Sequence, residues 1–279
     1  MTFRDIWINH FYHANHLIIG TIEIVVEESI IKVSIITATY NSSRTILDTM
    51  NSVQKQTYPH IEHLIIDGLS MDYTIGLIQS TNFKGTIHRG IDKGIYDAMN
   101  KGIGLASGEI VGILNSDDFY ASETIIEEVV SIFNETGCDA VYGDLLYVDG
   151  LDTSKVIRKW VSGKYNRENF LQGWMPPHPT FFVRKSVYEK YGLFNISLWG
   201  AADYELMLRF LYKNKVTAAY LPKVLVHMRT GGQSNTSIFN RLRANMEDRK
   251  AWKINDISPK WYTLNLKPLR KVSQFFIKN

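Results

Sequence analysis

The chain has 279 residues, 45% hydrophobic and 21% charged, enough apolar material for one large domain or a domain with an appended segment. A net charge of +3, with no dense Lys/Arg block interleaved with aromatics, gives no electrostatic footprint for nucleic acid. The single cysteine, Cys138, excludes an internal disulfide; with no membrane-length apolar run and no secretory leader legible, a reducing, cytoplasmic setting is expected.

Residues 1–30 are the least regular. Met1–His16 is rich in aromatics, and Leu17–Val26 has the composition of an extra strand. His10, His13 and His16 would fan around a helix surface, with no Cys or carboxylate joining them, so a tethering or packing extension is expected rather than a metal site.

From Lys32 to Thr39 a β-branched run suits a buried parallel strand, ending in the turn Tyr40-Asn-Ser-Ser43, whose Asn or Ser can cap the next helix. That helix sets Ile46, Met50 and Val53 on one face and stops before Tyr58-Pro59. A second strand, His63–Ile66, runs into Asp67-Gly-Leu-Ser-Met-Asp72, completing a βαβ unit. A third strand covers Gly85–Arg89, and Asp92 follows it. Next, Ile95, Met99 and Ile103 recur at helical steps before a Ser107-Gly108 turn, and the buried run Ile110–Leu114 stops at Asn115-Ser-Asp-Asp118.

Adjacent carboxylates just past a buried strand lie where α/β sheets place their ligands. Asp117 and Asp118 repel unless they share a cation. A cap or turn is the plain alternative; the chemical one is a hard divalent ion held by one or two carboxylates and substrate phosphates. Because Asp67 and Asp92 also follow strands, acids gather at three successive strand ends, which favours a nucleotide-and-metal crevice over a solvated rim.

Beyond Asp118, a helix with Ile125, Val129, Ile132 and Phe133 inward leads to the strand Ala140–Asp144, and alternation as far as Trp160 predicts a hairpin. This switch to antiparallel strands marks a second half of the domain, in which Asp144 is either structural or faces a ligand. Gln172–Thr180 is a proline-rich loop suited to shaping a pocket, with the Trp174 face available for stacking. His178 reads as a loop organiser ahead of a direct contact. The helix Lys185–Tyr191 ends at Gly192. In Trp199–Arg209, Leu206 faces inward, as do Phe210 and Leu211 just beyond, and Asp203 sits in the first helical turn, where the dipole favours an anion; Glu205 and Arg209 read as structural partners. Short strands Thr217–Leu221 and Val224–Met228 precede Arg229-Thr-Gly-Gly-Gln-Ser234, either a plain turn or a loop closing over a diphosphate with Arg229 bonding to it. After a helix Ile238–Trp252, the tail Lys267–Lys278 sets Leu269, Val272, Phe275 and Phe276 among four cations. Contact with an anionic membrane and packing onto the domain are its two readings.

Ser34–Asn41, Asp67–Asp72, Asn100-Lys-Gly102, Ser107-Gly-Glu109 and Asn115–Asp118, in this order, resemble the successive motifs of family 2 glycosyltransferases. The likeness spans about Ile31 to Ser234, and Asp92–Ile103 resembles bacterial members that build exopolysaccharide, capsule or O-antigen. The resemblance implies a GT-A fold: an α/β, Rossmann-like, mostly parallel sheet with helices on both faces and a smaller antiparallel acceptor-side part. Its parts would be an extension (1–30), a nucleotide-sugar half (31–120), an acceptor half (121–255) and the basic tail (256–279). It further implies inverting transfer of a sugar from a nucleotide donor, UDP-linked ahead of GDP- or dTDP-linked, with Mn²⁺ or Mg²⁺. The acceptor would be a glycan or lipid-linked sugar at the inner face of the cell membrane. Carried over by position, Thr37, Thr39 and Tyr40 would line the nucleotide pocket, Asp67 would bond the base, and Asp92 or Arg89 would lie near base or ribose. Asp117 would face ribose or donor sugar, Asp118 would hold the metal, and Asp203 would be the general base. Two departures stand out: the usual Asp-x-Asp reads Asn115-Ser-Asp117 followed by Asp118, and Gly68 replaces a frequent Asp. Of the rival classes, a nucleotidyltransferase needs a glycine-rich phosphate loop that Thr39–Ser43 lacks, and retained Asp118 and Asp203 stand against a non-catalytic nucleotide-sugar-binding scaffold or regulatory subunit.

Overall fold

Ile18–Ile19 (β1) and Ile22–Glu23 (β2) pair as an antiparallel hairpin, where the sequence suggested one strand. The computed structural model describes residues 18–19, 22–23, 30–231 and 238–274, so His10, His13 and His16 lie outside the described residues. The hairpin belongs to a unit of its own, 1–30; residues 31–279 form the second.

In that second unit the β-branched run becomes β3 (Val33–Thr39), buried along its whole length. Helix α1 (Ile46–Gln54) leads to β4 (Ile61–Asp67), α2 (Thr74–Gln79) to β5 (Thr86–Arg89), and α3 (Ile95–Leu105) to β6 (Ile110–Ile113). The four strands are parallel, in the order β5-β4-β3-β6. Such strands are covered on both faces, which is why they read as continuous apolar runs. α3 buries Ala98, Met99, Gly102 and Ile103, leaving Ile95 exposed, so its inner stripe is rotated from the 95-99-103 expectation. Gly102 permits that seating, because a Cβ there would collide with Ile36.

The second half begins with β7 (Phe119–Tyr120) and α4 (Ile125–Thr136), closed by Gly137 in the left-handed conformation. β8 (Ala140–Val148) and β9 (Val156–Trp160) make the expected hairpin. β10 (Phe182–Arg184) runs antiparallel between β6 and β8, then α5 (Lys185–Tyr191) and α6 (Ala202–Met207) follow, α6 continuing as a π-turn through Lys213. In place of two short strands there is one, β11 (Ala218–Arg229), parallel to β8; its register shifts between Tyr220 and Val226, where Pro222 has no N–H to give the ladder. α7 (Ile238–Ile254) and α8 (Thr263–Ser273) complete the chain.

One core cluster packs Ile36, Ile66 and Met99 with Leu206, Phe210 and Trp252; another packs Ile35 and Ile110 with Val129, Phe133 and Leu225. The sheet therefore carries helices on both faces. At the strand starts, Glu62 accepts from Ser107 N (2.9 Å), Ser107 Oγ (2.6 Å) and Ser34 Oγ (2.5 Å), and a Cβ on Gly108 would lie 2.7 Å from the Lys32 carbonyl. Burial raises the Glu62 pKa, but these bonds and Lys32 outweigh it and hold the carboxyl at about 2. The Ser-Gly-Glu motif is thus a clasp at the edge remote from the strand carboxyl ends.

The tail packs inward as far as it is described. Leu264 is buried, Lys267 pairs with Asp248 at 2.6 Å, and the buried Gln274 accepts Lys159 N at 3.1 Å, although Leu269 stays exposed. Phe275 and Phe276 lie outside the described residues. No described helix is long and apolar enough to cross a membrane.

Candidate active site

The loops after β3, β4 and β6 are stitched together at the carboxyl edge. Asn41, in the left-handed region its short polar side chain tolerates, accepts from Met71 N (2.8 Å) and Asp72 N (3.3 Å). Ser42 N donates to Thr74 Oγ1 at 2.8 Å, while the Ser42 and Ser116 hydroxyls meet at 2.8 Å. Thr45, the residue before α1, makes no capping bond; its hydroxyl donates to the Ser116 carbonyl at 2.8 Å.

On the donor side, the fully buried Asp67 accepts from Ser70 N (3.1 Å), Ser70 Oγ (2.5 Å) and Arg89 Nε (3.0 Å). Asp92 pairs with Lys101. Gly68 forms the floor between these groups and Tyr40: a Cβ there would sit 3.1 Å from an Asp92 oxygen and 3.6 Å from the Tyr40 ring. An Asp at this position would press its charge on Asp92, which accounts for the glycine. A hollow of about 420 Å³ beside them is lined by His88, Arg89, Asp92, Lys101 and Leu105, among others. Tyr40 is exposed at the strand end, and Thr39 Oγ1 is buried without a partner. Thr37 corrects the expectation: it is fully buried and bonds His63 Nε2 at 3.0 Å, so it belongs to the core rather than to a pocket wall. Burial lowers the His63 ring to about 3, leaving it neutral beside Thr37.

At the end of β6, Asp118 is completely buried. Asn115 Nδ2 donates to its Oδ2 at 2.9 Å and Thr49 Oγ1 to its carbonyl at 2.7 Å, yet Asp118 Oδ1 and Asn115 Oδ1 have no hydrogen-bond partner. Burial, and then Asp117 beside it, push the Asp118 carboxyl well above the usual range; burial also raises Asp117. Two orphaned hard oxygens next to a second carboxylate fit a divalent cation. No group of three His, Cys, Asp or Glu among the described residues could hold one, so diphosphate oxygens and water would complete the shell. Arg229 is placed differently from expectation. Its guanidinium donates to the Asp117 carbonyl (2.7 Å), pairs with Asp48 and stands 5.0 Å over the Phe119 ring, so it braces the acidic turn. Gly232–Ser234 lie outside the described residues.

In the second half of the fold, Asp203 opens α6, its Oδ1 accepting Tyr204 N at 2.8 Å and the Tyr96 hydroxyl at 3.4 Å. Burial lowers the His178 pKa against an opposing pull from Asp203. Buried Tyr147, on β8, is raised first by its burial; Arg158 opposes this, and both Asp118 and Asp203 add to it. Its phenol therefore lies within the field of both carboxylates.

The Trp174 expectation changes, and Asp144 takes the structural one of its two readings. Trp174 is buried, donating Nε1 to the Ser162 carbonyl at 2.8 Å and packing on Phe170 and Tyr142, because Gly173 in the left-handed region turns the loop inward. Asp144 is a clasp, accepting Ser162 N and the Tyr220 hydroxyl, both at 2.8 Å. Glu205 is structural as expected, accepting from Arg209 Nε and Nη2 at 3.0 Å each. Sequence reasoning missed Tyr96, Asn115 and Tyr147. The first two sit inside quoted motifs, whereas nothing in the sequence singles out Tyr147 from other core tyrosines.

A parallel sheet with acids at its strand ends, extended by an antiparallel half that carries a further carboxylate at the start of α6, is the architecture of the GT-A glycosyltransferase fold. The model of glycosyl transferase family 2 matches residues 34–192, more than half of the chain, and the chain belongs to that family. It is 28% identical to a PGL/p-HBAD biosynthesis glycosyltransferase of Mycobacterium bovis, over 74% of this chain and 80% of that one. Among solved structures, Staphylococcus aureus TarS 1–349 in complex with UDP-GlcNAc superposes with a TM-score of 0.65 at 18% identity, covering 87% of this chain and 73% of TarS. The mannosyltransferase PcManGT of Pyrobaculum calidifontis, in complex with GDP-Man and Mn²⁺, gives 0.58 at 17% identity, covering 89% and 76%.

Proposed function

We propose that this glycosyltransferase is an inverting enzyme of surface polysaccharide biosynthesis, moving a sugar from a UDP-sugar to a hydroxyl of a glycan or lipid-linked acceptor. The observation that carries the reading is the buried Asp118 with its orphaned oxygen, together with Asp203, the two carboxylates whose charges both reach the Tyr147 phenol. The complexes of the structural neighbours with UDP-GlcNAc and with GDP-Man and Mn²⁺ support a nucleotide-sugar donor and the cation.

Asp67 with Arg89 holds the base, Tyr40 and Asp92 flank the Gly68 floor under the nucleoside, and Asp117 faces ribose or donor sugar. Asp118 and Asn115 would hold Mn²⁺ or Mg²⁺, which when bound would supply charge neutralisation at the diphosphate. Asp203 takes the proton from the acceptor hydroxyl as that oxygen bonds to the anomeric carbon; the bond from that carbon to the diphosphate oxygen breaks, and configuration inverts. The sheet edge fixes the donor so that attack is in line.

A panel of UDP-, GDP- and dTDP-sugars, offered with extracted glycans and lipids, is expected to give divalent-dependent nucleoside diphosphate release from one UDP-sugar. Tight binding of a nucleotide sugar with no release under any condition would instead identify a scaffold or regulatory subunit.

The protein is further assigned to the inner face of the cell membrane, through Trp261, 88% exposed, and Leu269, 62% exposed, with Arg270 in the same basic segment. Replacing Trp261 by Ser and Leu269 by Glu together is expected to abolish co-sedimentation with phosphatidylglycerol vesicles; unchanged co-sedimentation removes the assignment.

A further inference from the structure

One asparagine fixes the wall beside Asp203. Asn100, on α3, donates from Nδ2 to the Phe194 carbonyl at 2.9 Å and accepts Phe194 N on Oδ1 at 2.9 Å, across 94 positions of sequence. Both backbone polar groups of Phe194 are thus matched by one side chain, which sets its orientation as well as its place. The Phe194 ring stacks on Tyr96, one turn before Asn100 on α3, with centroids 5.5 Å apart and planes at 22°; His178 meets the same ring edge-on at 5.5 Å. Tyr96 in turn directs its hydroxyl at Asp203 Oδ1 (3.4 Å), the oxygen that also accepts Tyr204 N. Among the described residues, Asp203 Oδ2 has no hydrogen-bond partner.

We propose that Asn100, Phe194 and Tyr96 form a positioning relay: the amide clamp on Phe194 sets the Tyr96 ring, and the Tyr96 hydroxyl holds Asp203 Oδ1 so that Oδ2 meets the acceptor hydroxyl. The proposal rests on the reading of Asp203 as base. Tyr96 faces that carboxylate from α3, His178 from its loop and Tyr147 from β8, with Glu247 of α7 acting on Tyr96 and Asp118 on Tyr147.

Tyr96→Phe keeps the ring stack and removes only the donor. The carboxylate loses the bond that fixes Oδ1, and a base free to rotate slows turnover by about tenfold, with donor KM unchanged. Asn100→Ala, which frees Phe194 without touching Asp203, lowers kcat in the same way, and the double variant loses no more than the worse single. A wild-type kcat in both single variants overturns the relay, and so does a loss of donor binding equal to the loss of kcat. Asp203→Asn separates the two ideas: if it retains turnover, the base reading fails, whereas if it is inactive beside a wild-type kcat in Tyr96→Phe, only the relay fails.

Discussion

Asp203→Asn is expected to leave donor binding unchanged while lowering turnover by about a thousandfold, the scale of a lost general base. The substitution is nearly isosteric, and an amide oxygen can still accept Tyr204 N, so the first turn of α6 stays in place. What disappears is the capacity to take a proton. Donor groups are not involved, because Asp67, Arg89, Asp92 and Tyr40 gather at the ends of β3–β5, away from α6. Isothermal titration with UDP-sugar alongside initial rates reads the two effects separately. Retained turnover would point to His178, whose ring burial keeps neutral and able to accept a proton; His178→Gln would then become the inactive variant.

What was legible in the sequence follows from which physical signals are local. The central parallel strands β3 and β6 are buried throughout and β4 over its last five residues, so they are written as mostly apolar, β-branched runs that stop at polar loops. The acids at those stops therefore declare themselves, and the β8–β9 hairpin shows through its alternation. Direction in loops is not written in this way. Trp174 and the Pro residues around it have the composition of a binding loop, but a left-handed Gly173 turns the indole into the core. Arg229 follows an apparent strand and precedes glycines, which suggests a mobile cation, yet Asp48, 181 residues away, holds it. Ser107-Gly-Glu109 has the look of a functional motif, yet its glycine answers a packing need: the close approach of Lys32 and Ser34 to Gly108 leaves room for no side chain. Tyr147 depends on pairings across the sheet that no window of sequence contains.

Asp118→Asn is expected to abolish metal-dependent turnover and at the same time to make the metal-free protein more stable at pH 7. The sign follows from the raised pKa of Asp118, whose causes are burial and then Asp117. A carboxyl with a folded pKa above its unfolded value binds more protons in the folded state, so stability falls as pH rises from the unfolded value towards the folded one. At neutral pH the wild type keeps an acid in a site that disfavours its charge, with Oδ1 unpartnered; an amide avoids that penalty, worth about 1–3 kcal/mol. The stability difference therefore closes below pH 3.8, where the carboxyl is protonated in both states. Mn²⁺ with UDP should reverse the ranking, raising the melting temperature of the wild type and leaving the variant where it was. Bound Mn²⁺, counted by electron paramagnetic resonance, supplies a readout independent of catalysis. If the variant takes up Mn²⁺ in the presence of UDP as well as the wild type does, the ligand is Asp117, and the buried Asp118 serves only to shape the turn that presents it.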